Sequence, residues 1–253
     1  MIDAHAHLDF EAFDADREAM WARALEAGVE AAVIPGVAPA QWARGAEVAR
    51  ALDGAWCVGA HPEWLAELGL SPDALRERLI AEGEGAVAVG ELGLDRRVEG
   101  AVGREAQEAY LEAQLDAAEA LGLPLVLHVV GRHGRLLELL APRAPLRGMV
   151  HAFTGAPEVA ARYLELGLHL GVGGALTRPN AKKLRAAAPT IPLGRLLVET
   201  DAPDQAPEGR EGRNEPAWLV DVVEALAALR GESVEKVAEA TGENARTLFG
   251  LAS

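Results

Sequence analysis

The sequence predicts a (β/α)8 barrel, and three observations point to it. Short apolar runs alternate with segments of helical period along the whole chain. There are eight such pairs, in 253 residues, the usual length of that fold. Metal-ligating residue types also concentrate at the ends of the apolar runs, where barrel strands present their active sites. An open doubly wound sheet is the competing architecture, but no glycine-rich phosphate turn follows an early strand.

The first run, Ile2–His7, places His5 and His7 two residues apart. In an extended chain positions i and i+2 share a face, so both imidazoles converge on one point, with Asp3 one layer below. Further buried strands are expected over Glu30–Pro35, Ala55–His61, Ala86–Glu91, Leu123–Val129, Arg147–Phe153, Leu168–Gly173 and Arg195–Asp201. Helical periodicity covers Phe13–Ala27, Ala38–Ala51, Asp73–Ala81, Arg104–Leu121, Gly134–Leu140, Glu158–Leu166, Ala181–Ala188 and Glu215–Leu229. Val234–Ala240 and Asn244–Leu251 read as two extra terminal helices. With no linker, repeat or low-complexity tract, residues 1–253 read as one barrel domain.

Half of the residues are apolar, enough for one large core or two modest ones. The net charge of −15 gives no general basic surface, so any nucleic-acid contact must be local and weak. The single Cys57 excludes an intramolecular disulfide and fits a reducing cytoplasm. No signal peptide and no apolar stretch of membrane-spanning length is visible, so a cytoplasmic protein without a membrane partner is expected. The sequence specifies no oligomeric state.

Five of the seven histidines fall at strand ends: His5 and His7 on the first, His61 on the third, His128 on the fifth and His151 on the sixth. Glu91 ends the fourth and Asp201 the eighth. His133 and His169 are read as ordinary structural histidines. Six candidate ligands (His5, His7, Glu91, His128, His151 and Asp201) exceed what one tetrahedral ion uses. Two divalent ions sharing a carboxylate bridge fit better, and Glu91, between the two histidine groups, is the expected bridge. Oxygen and nitrogen ligands without cysteine admit Zn²⁺, Mg²⁺ or Mn²⁺.

These residues together resemble the TatD family of metal-dependent hydrolases, within the amidohydrolase superfamily. The resemblance runs through Asp3-Ala-His-Ala-His7, Gly59-Ala-His-Pro62, Gly90-Glu-Leu-Gly-Leu-Asp95, Gly122-Leu-Pro-Leu-Val-Leu-His128, His151-Ala-Phe-Thr-Gly155, Glu199-Thr-Asp-Ala-Pro203, Arg213-Asn-Glu-Pro216 and Asn244-Ala-Arg-Thr-Leu-Phe249. It implies a DNA phosphodiesterase with 3′→5′ exonuclease activity, acting by attack of a metal-bridging hydroxide. Carried over by position, His5, His7 and Asp201 would hold one metal and His128 and His151 the other. Glu91 would bridge, and Asp201 would also accept the proton of the attacking water. Glu199 would orient a ligand histidine from behind. His61 and Thr154 would face the substrate, a weakly bound DNA or oligonucleotide.

Two departures from the family pattern bear on substrate. Where relatives follow the strand-five histidine with Ser-Arg-Asp, this chain has Val129-Val130-Gly131, and Arg132 or His133 is the candidate replacement. Glu63 stands where many relatives carry another histidine. Arg213 joins the expected substrate contacts, in the region after strand eight where barrels often bind phosphate. Two other function classes remain open: a sister amidohydrolase acting on a small ester or amide, and a non-enzymatic metal-stabilised binding protein. Many sister enzymes bridge their metals through a carboxylated lysine on strand four. Here the three lysines, Lys182, Lys183 and Lys236, all fall in helical segments.

Overall fold

The computed structural model describes residues 1–251. Eight strands form one all-parallel sheet in sequential order: β1 (Ile2–Asp3), β2 (Ala31–Ile34), β3 (Ala55–Val58), β4 (Ala88–Asp95), β5 (Leu125–Val130), β6 (Gly148–Val150), β7 (His169–Val172) and β8 (Leu196–Val198). The sheet closes on itself beyond the regular ladders. Ala4 N–H donates to Val198 O at 3.0 Å and Asp201 N–H to His5 O at 2.9 Å, while Ala6 N–H donates to Val33 O at 3.1 Å. The chain after β1 is therefore bonded to both neighbours, and the alternation that aligns Asp3, His5 and His7 continues through it.

Helices fill the outside: α1 (Arg17–Glu26), α2 (Pro39–Ala51), α3 (Pro72–Glu82), α4 (Arg104–Leu121), α5 (His133–Leu140), α6 (Pro157–Glu165), α7 (Lys182–Ala187), α8 (Leu219–Arg230) and α9 (Val234–Phe249). Their ends follow local chemistry. Ser71 and Ser233 cap α3 and α9 by accepting from Ala74 N–H and Lys236 N–H, each at 3.2 Å. Gly122, Gly231 and Gly250 stop α4, α8 and α9 in the left-handed conformation.

The main core lies between sheet and helices. A second cluster joins Val33, Cys57, Ala88, Val126, Met149 and Leu197 to Ala245, Leu248 and Phe249 of α9. Val126, Met149 and Leu197 stand two residues before His128, His151 and Glu199. Period-two alternation thus puts an apolar layer on the same face as the polar site, one step deeper. Two glycines make room. At Gly171 on β7 a Cβ would lie 2.4 Å from Glu199 Oε2, and at Gly59 it would lie 2.4 Å from the Gly90 carbonyl carbon. Any side chain there would displace the polar layer or the β4 backbone.

Three expectations change. The two terminal helices are one: α9 runs unbroken through Thr241 and Gly242. The Thr241 hydroxyl donates back to Val237 O at 2.8 Å, so it does not pull the backbone out of the helix. The Gly242 position is buried, and the packing of α9 on the barrel outweighs a glycine cost of about 1 kcal/mol. Strand β4 does not end at Glu91 but continues to Asp95, pairing with Leu127–Val130 of β5. Its register shifts between Gly90 and Leu92, leaving Glu91 as the extra residue of a bulge. The segment before α8 begins as a 3₁₀ turn, Pro216–Trp218.

Candidate metal centre

The bulge in β4 turns Glu91 into the barrel mouth, where its two carboxylate oxygens face two groups of donors. Oε2 lies 3.2 Å from His5 Nε2 and 3.5 Å from His7 Nε2. Those two nitrogens are 3.4 Å apart, and Asp201 Oδ1 lies 3.6 Å and 3.5 Å from them. Tetrahedral bonds of about 2.0–2.1 Å require donors about 3.3–3.4 Å apart. Five of the six edges of this set fall close to that value, so the four donors fit a divalent cation.

Glu91 Oε1 faces the second group. It lies 2.8 Å from His128 Nδ1 and 2.7 Å from His151 Nε2, and the two nitrogens are 3.0 Å apart. This set has three protein donors and is tighter than a tetrahedral edge. A cation there would spread it by a few tenths of an ångström and leave coordination positions for water or substrate. All five imidazoles at the mouth are buried, as is Glu91. Burial pushes the Glu91 carboxyl up, but the surrounding imidazoles outweigh it and hold it well below the ordinary range.

His61 also approaches Glu91 Oε1, with its Nε2 at 3.4 Å. Its Nδ1 accepts from Glu63 N–H at 3.1 Å, which fixes the tautomer with the proton on Nε2. Burial lowers its pKa to about 3, so the ring is neutral. A protonated Nε2 is a hydrogen-bond donor and cannot coordinate a cation, which separates His61 from the four candidate ligands His5, His7, His128 and His151.

Behind the second set stands Asp95. His128 Nε2 lies 3.0 Å from Asp95 Oδ2, and Arg97 grips both oxygens of that carboxylate at 2.6–3.1 Å. Burial raises the Asp95 pKa, but the bonds from His128 and Arg97 outweigh this and hold it low. The carboxylate fixes the ring so that Nδ1 faces Glu91. Asp201 is held comparably by Gln205, whose amide donates to Oδ2. Asp3, buried under the first set, accepts from Thr200 N–H at 3.0 Å, from the Thr200 hydroxyl at 2.5 Å and from His5 N–H at 3.3 Å. Glu199 Oε1 takes the Ala152 N–H and lies 3.7 Å from His151 Nδ1. Burial and the nearby Asp201 charge keep Glu199 protonated well above its ordinary pKa.

The structure thus brings together all six expected ligands, with His61 beside them and Glu199 behind His151. Thr154 lines the same cavity, of about 760 Å³. Arg132 and Arg213 do not line it. Arg132 is held by Glu99 at 2.5 and 2.6 Å. Arg213 pairs with Asp16 at 2.7 and 2.9 Å and lies over the Phe13 ring. Each guanidinium has a carboxylate partner closer than the site, so both tie loops together. Arg97 and His133 line the cavity instead. Sequence reasoning gave no role to Asp95, Arg97 or Gln205. Asp95 was within reach, four residues after Glu91 in one motif and so on the same face of an extended strand, but the sequence expectation ended the strand at Glu91, short of it.

An eight-stranded parallel barrel with paired histidine and carboxylate donors at its mouth is the architecture of a metal-dependent hydrolase. Residues 2–250 match the family described as TatD related DNase, and the chain belongs to that family. It is 36% identical over 254 residues to the uncharacterized metal-dependent hydrolase YjjV of Escherichia coli K12, covering 99% of this chain and 98% of that one. It is 36% identical over 265 residues to the 3′-5′ ssDNA/RNA exonuclease TatD of Pantoea ananatis, covering 99% and 100%. The crystal structure of YjjV superposes with a TM-score of 0.90 at 35% identity, covering 100% of this chain and 98% of that one. No helix among the described residues is long and apolar enough to cross a membrane.

Proposed function

We propose that this hydrolase removes nucleotides from the 3′ end of single-stranded DNA, using two divalent cations, in the cytoplasm. The observation that carries the reading is the division of Glu91: one oxygen belongs to the His5, His7 and Asp201 set, the other to the His128 and His151 set. The names of relatives at 36% identity, 3′-5′ ssDNA/RNA exonucleases, supply the substrate class.

Bound cations would supply Lewis-acid polarisation of the phosphoryl oxygens and acidify water at neutral pH. His5, His7, Asp201 and Glu91 would hold one, and His128, His151 and Glu91 the other. The chain's own groups do the rest. His61 Nε2–H donates a hydrogen bond to a phosphoryl oxygen, its tautomer held by Glu63 N–H. Arg97, at the cavity wall, offers positive charge to the phosphate while its ion pair steadies Asp95. Asp201 is held anionic by its histidines, so Oδ2 can take a proton from attacking water while Gln205 orients it. Thr154 at the rim contacts the terminal nucleoside.

A second reading, hydrolysis of a small phosphate ester, is favoured by the acid-rich wall. Glu63 and Asp204 line the cavity beside Arg97, a poor grip for a polyanion. One experiment separates the two. Chelated protein is reloaded with Mg²⁺, Mn²⁺ or Zn²⁺ and given a 5′-labelled single-stranded oligonucleotide. A ladder shortening one nucleotide at a time from the 3′ end is expected. No product with any cation, or equal internal nicking of closed circular duplex, refutes the exonuclease reading.

A further inference from the structure

An apolar groove of about 690 Å³ opens beside the metal cavity, and the two share Phe10, Val37 and Trp64 as lining. Trp64 is 41% exposed, the one aromatic among the large exposed apolar side chains of the described residues. It sits in the 3₁₀ turn Pro62–Glu67, three residues after His61, so its position is tied to the site by the same short segment. Phe10 stacks on His7 with ring centroids 4.6 Å apart, forming the wall between cavity and groove. Beyond them the groove runs over the start of α2, lined by Ala38, Pro39 and Leu68.

The groove is unsuited to phosphates. Its acids are Asp9, Glu11 and Glu67. Its two guanidiniums are engaged, Arg44 with Asp14 and Asp9 O, and Arg78 with Glu82. It offers a π-face and methyl-lined walls, continuous with a site that cleaves beside a terminal nucleoside. We infer that this groove is a subsite for a nucleobase, that of the nucleotide on the 5′ side of the scissile phosphate, stacked on Trp64. The inference rests on the exonuclease reading above. The terminal nucleoside fills the cavity, and the rest of the strand has to leave it; the groove is the continuous way out. Stacking tolerates any base, which fits an enzyme with little sequence preference.

The test uses a short single-stranded oligonucleotide, intact or abasic at the penultimate 3′ position, with wild type, Trp64→Ala and Trp64→Phe. For wild type, kcat/KM should fall about 5- to 150-fold on the abasic strand, the range of one base stack. Trp64→Ala should lose a similar factor on the intact strand and nothing further on the abasic one. Trp64→Phe should recover most of the loss, and quenching of tryptophan fluorescence by the intact strand should shrink in both variants. Wild-type indifference to the abasic position, or additive losses, overturns the subsite. A change in oligomeric state in Trp64→Ala with unchanged cleavage overturns it in favour of an interface between copies. Hydrolysis of bis(p-nitrophenyl) phosphate without cleavage of the intact strand overturns the polymer reading and this inference together.

Discussion

Replacing Asp95 by alanine separates the two proposed cation positions. The Asp95 carboxylate touches His128 Nε2 at 3.0 Å and makes no contact with His5, His7 or Asp201. Its loss frees the His128 ring to rotate and leaves it less basic, so only the set of Glu91, His128 and His151 is weakened. Removing such a supporting carboxylate costs about 10- to 100-fold in metal affinity, equivalent to about 1.4–2.7 kcal/mol. The upper end is expected because Asp95 is buried and Arg97 fixes both of its oxygens. Calorimetric titration of the chelated protein with Mn²⁺ or Zn²⁺ should resolve two binding events in wild type. In Asp95→Ala one should weaken by that factor and the other stay within about twofold. Equal weakening of both events, or of neither, would refute the division of donors between the two oxygens of Glu91.

Three further outcomes are expected. Glu91→Gln should lose metal at both positions, whereas Asp201→Asn should retain part of its metal and lose about 10²–10⁴-fold in single-turnover rate; metal stoichiometry with single-turnover kinetics checks both. Chelation should abolish hydrolysis yet leave the far-ultraviolet circular dichroism unchanged, because the apolar clusters are built without the ligands. In the metal-free protein, burial raises the Asp3 pKa from 3.8 to about 7, so the folded state keeps a proton that the unfolded state has lost. Stability from this group is full below pH 3.8 and falls as pH rises towards 7, by on the order of 4 kcal/mol. Asp3→Asn mimics the protonated acid, so its urea midpoint should exceed that of wild type at pH 8 and approach it at pH 4. A wild-type advantage at pH 8 would contradict this.

The barrel and the gathering of the six candidate donors at its mouth were legible in the sequence because both rest on short-range periodicity. Alternation along Leu125–His128, Met149–His151 and Leu197–Asp201 puts an apolar residue below and a donor above on one face, whatever the rest of the chain does. A helix behind each strand leaves few topologies for eight such units. What the sequence could not decide depends on where backbones from different strands meet. The bulge at Glu91 arises from the pairing of β4 with β5, and the continuation of β4 beyond it carries Asp95 behind His128, with Arg97 at the cavity wall. Arg132 and Arg213 looked available for substrate by position, but Glu99 and Asp16 reach them first across loops that are distant in sequence. The tautomer of His61 hangs on one backbone N–H two residues away, in a turn that no periodicity announces. Side-chain type and spacing determined which chemistry this chain carries; the packing of non-neighbouring segments determined which groups hold it in place.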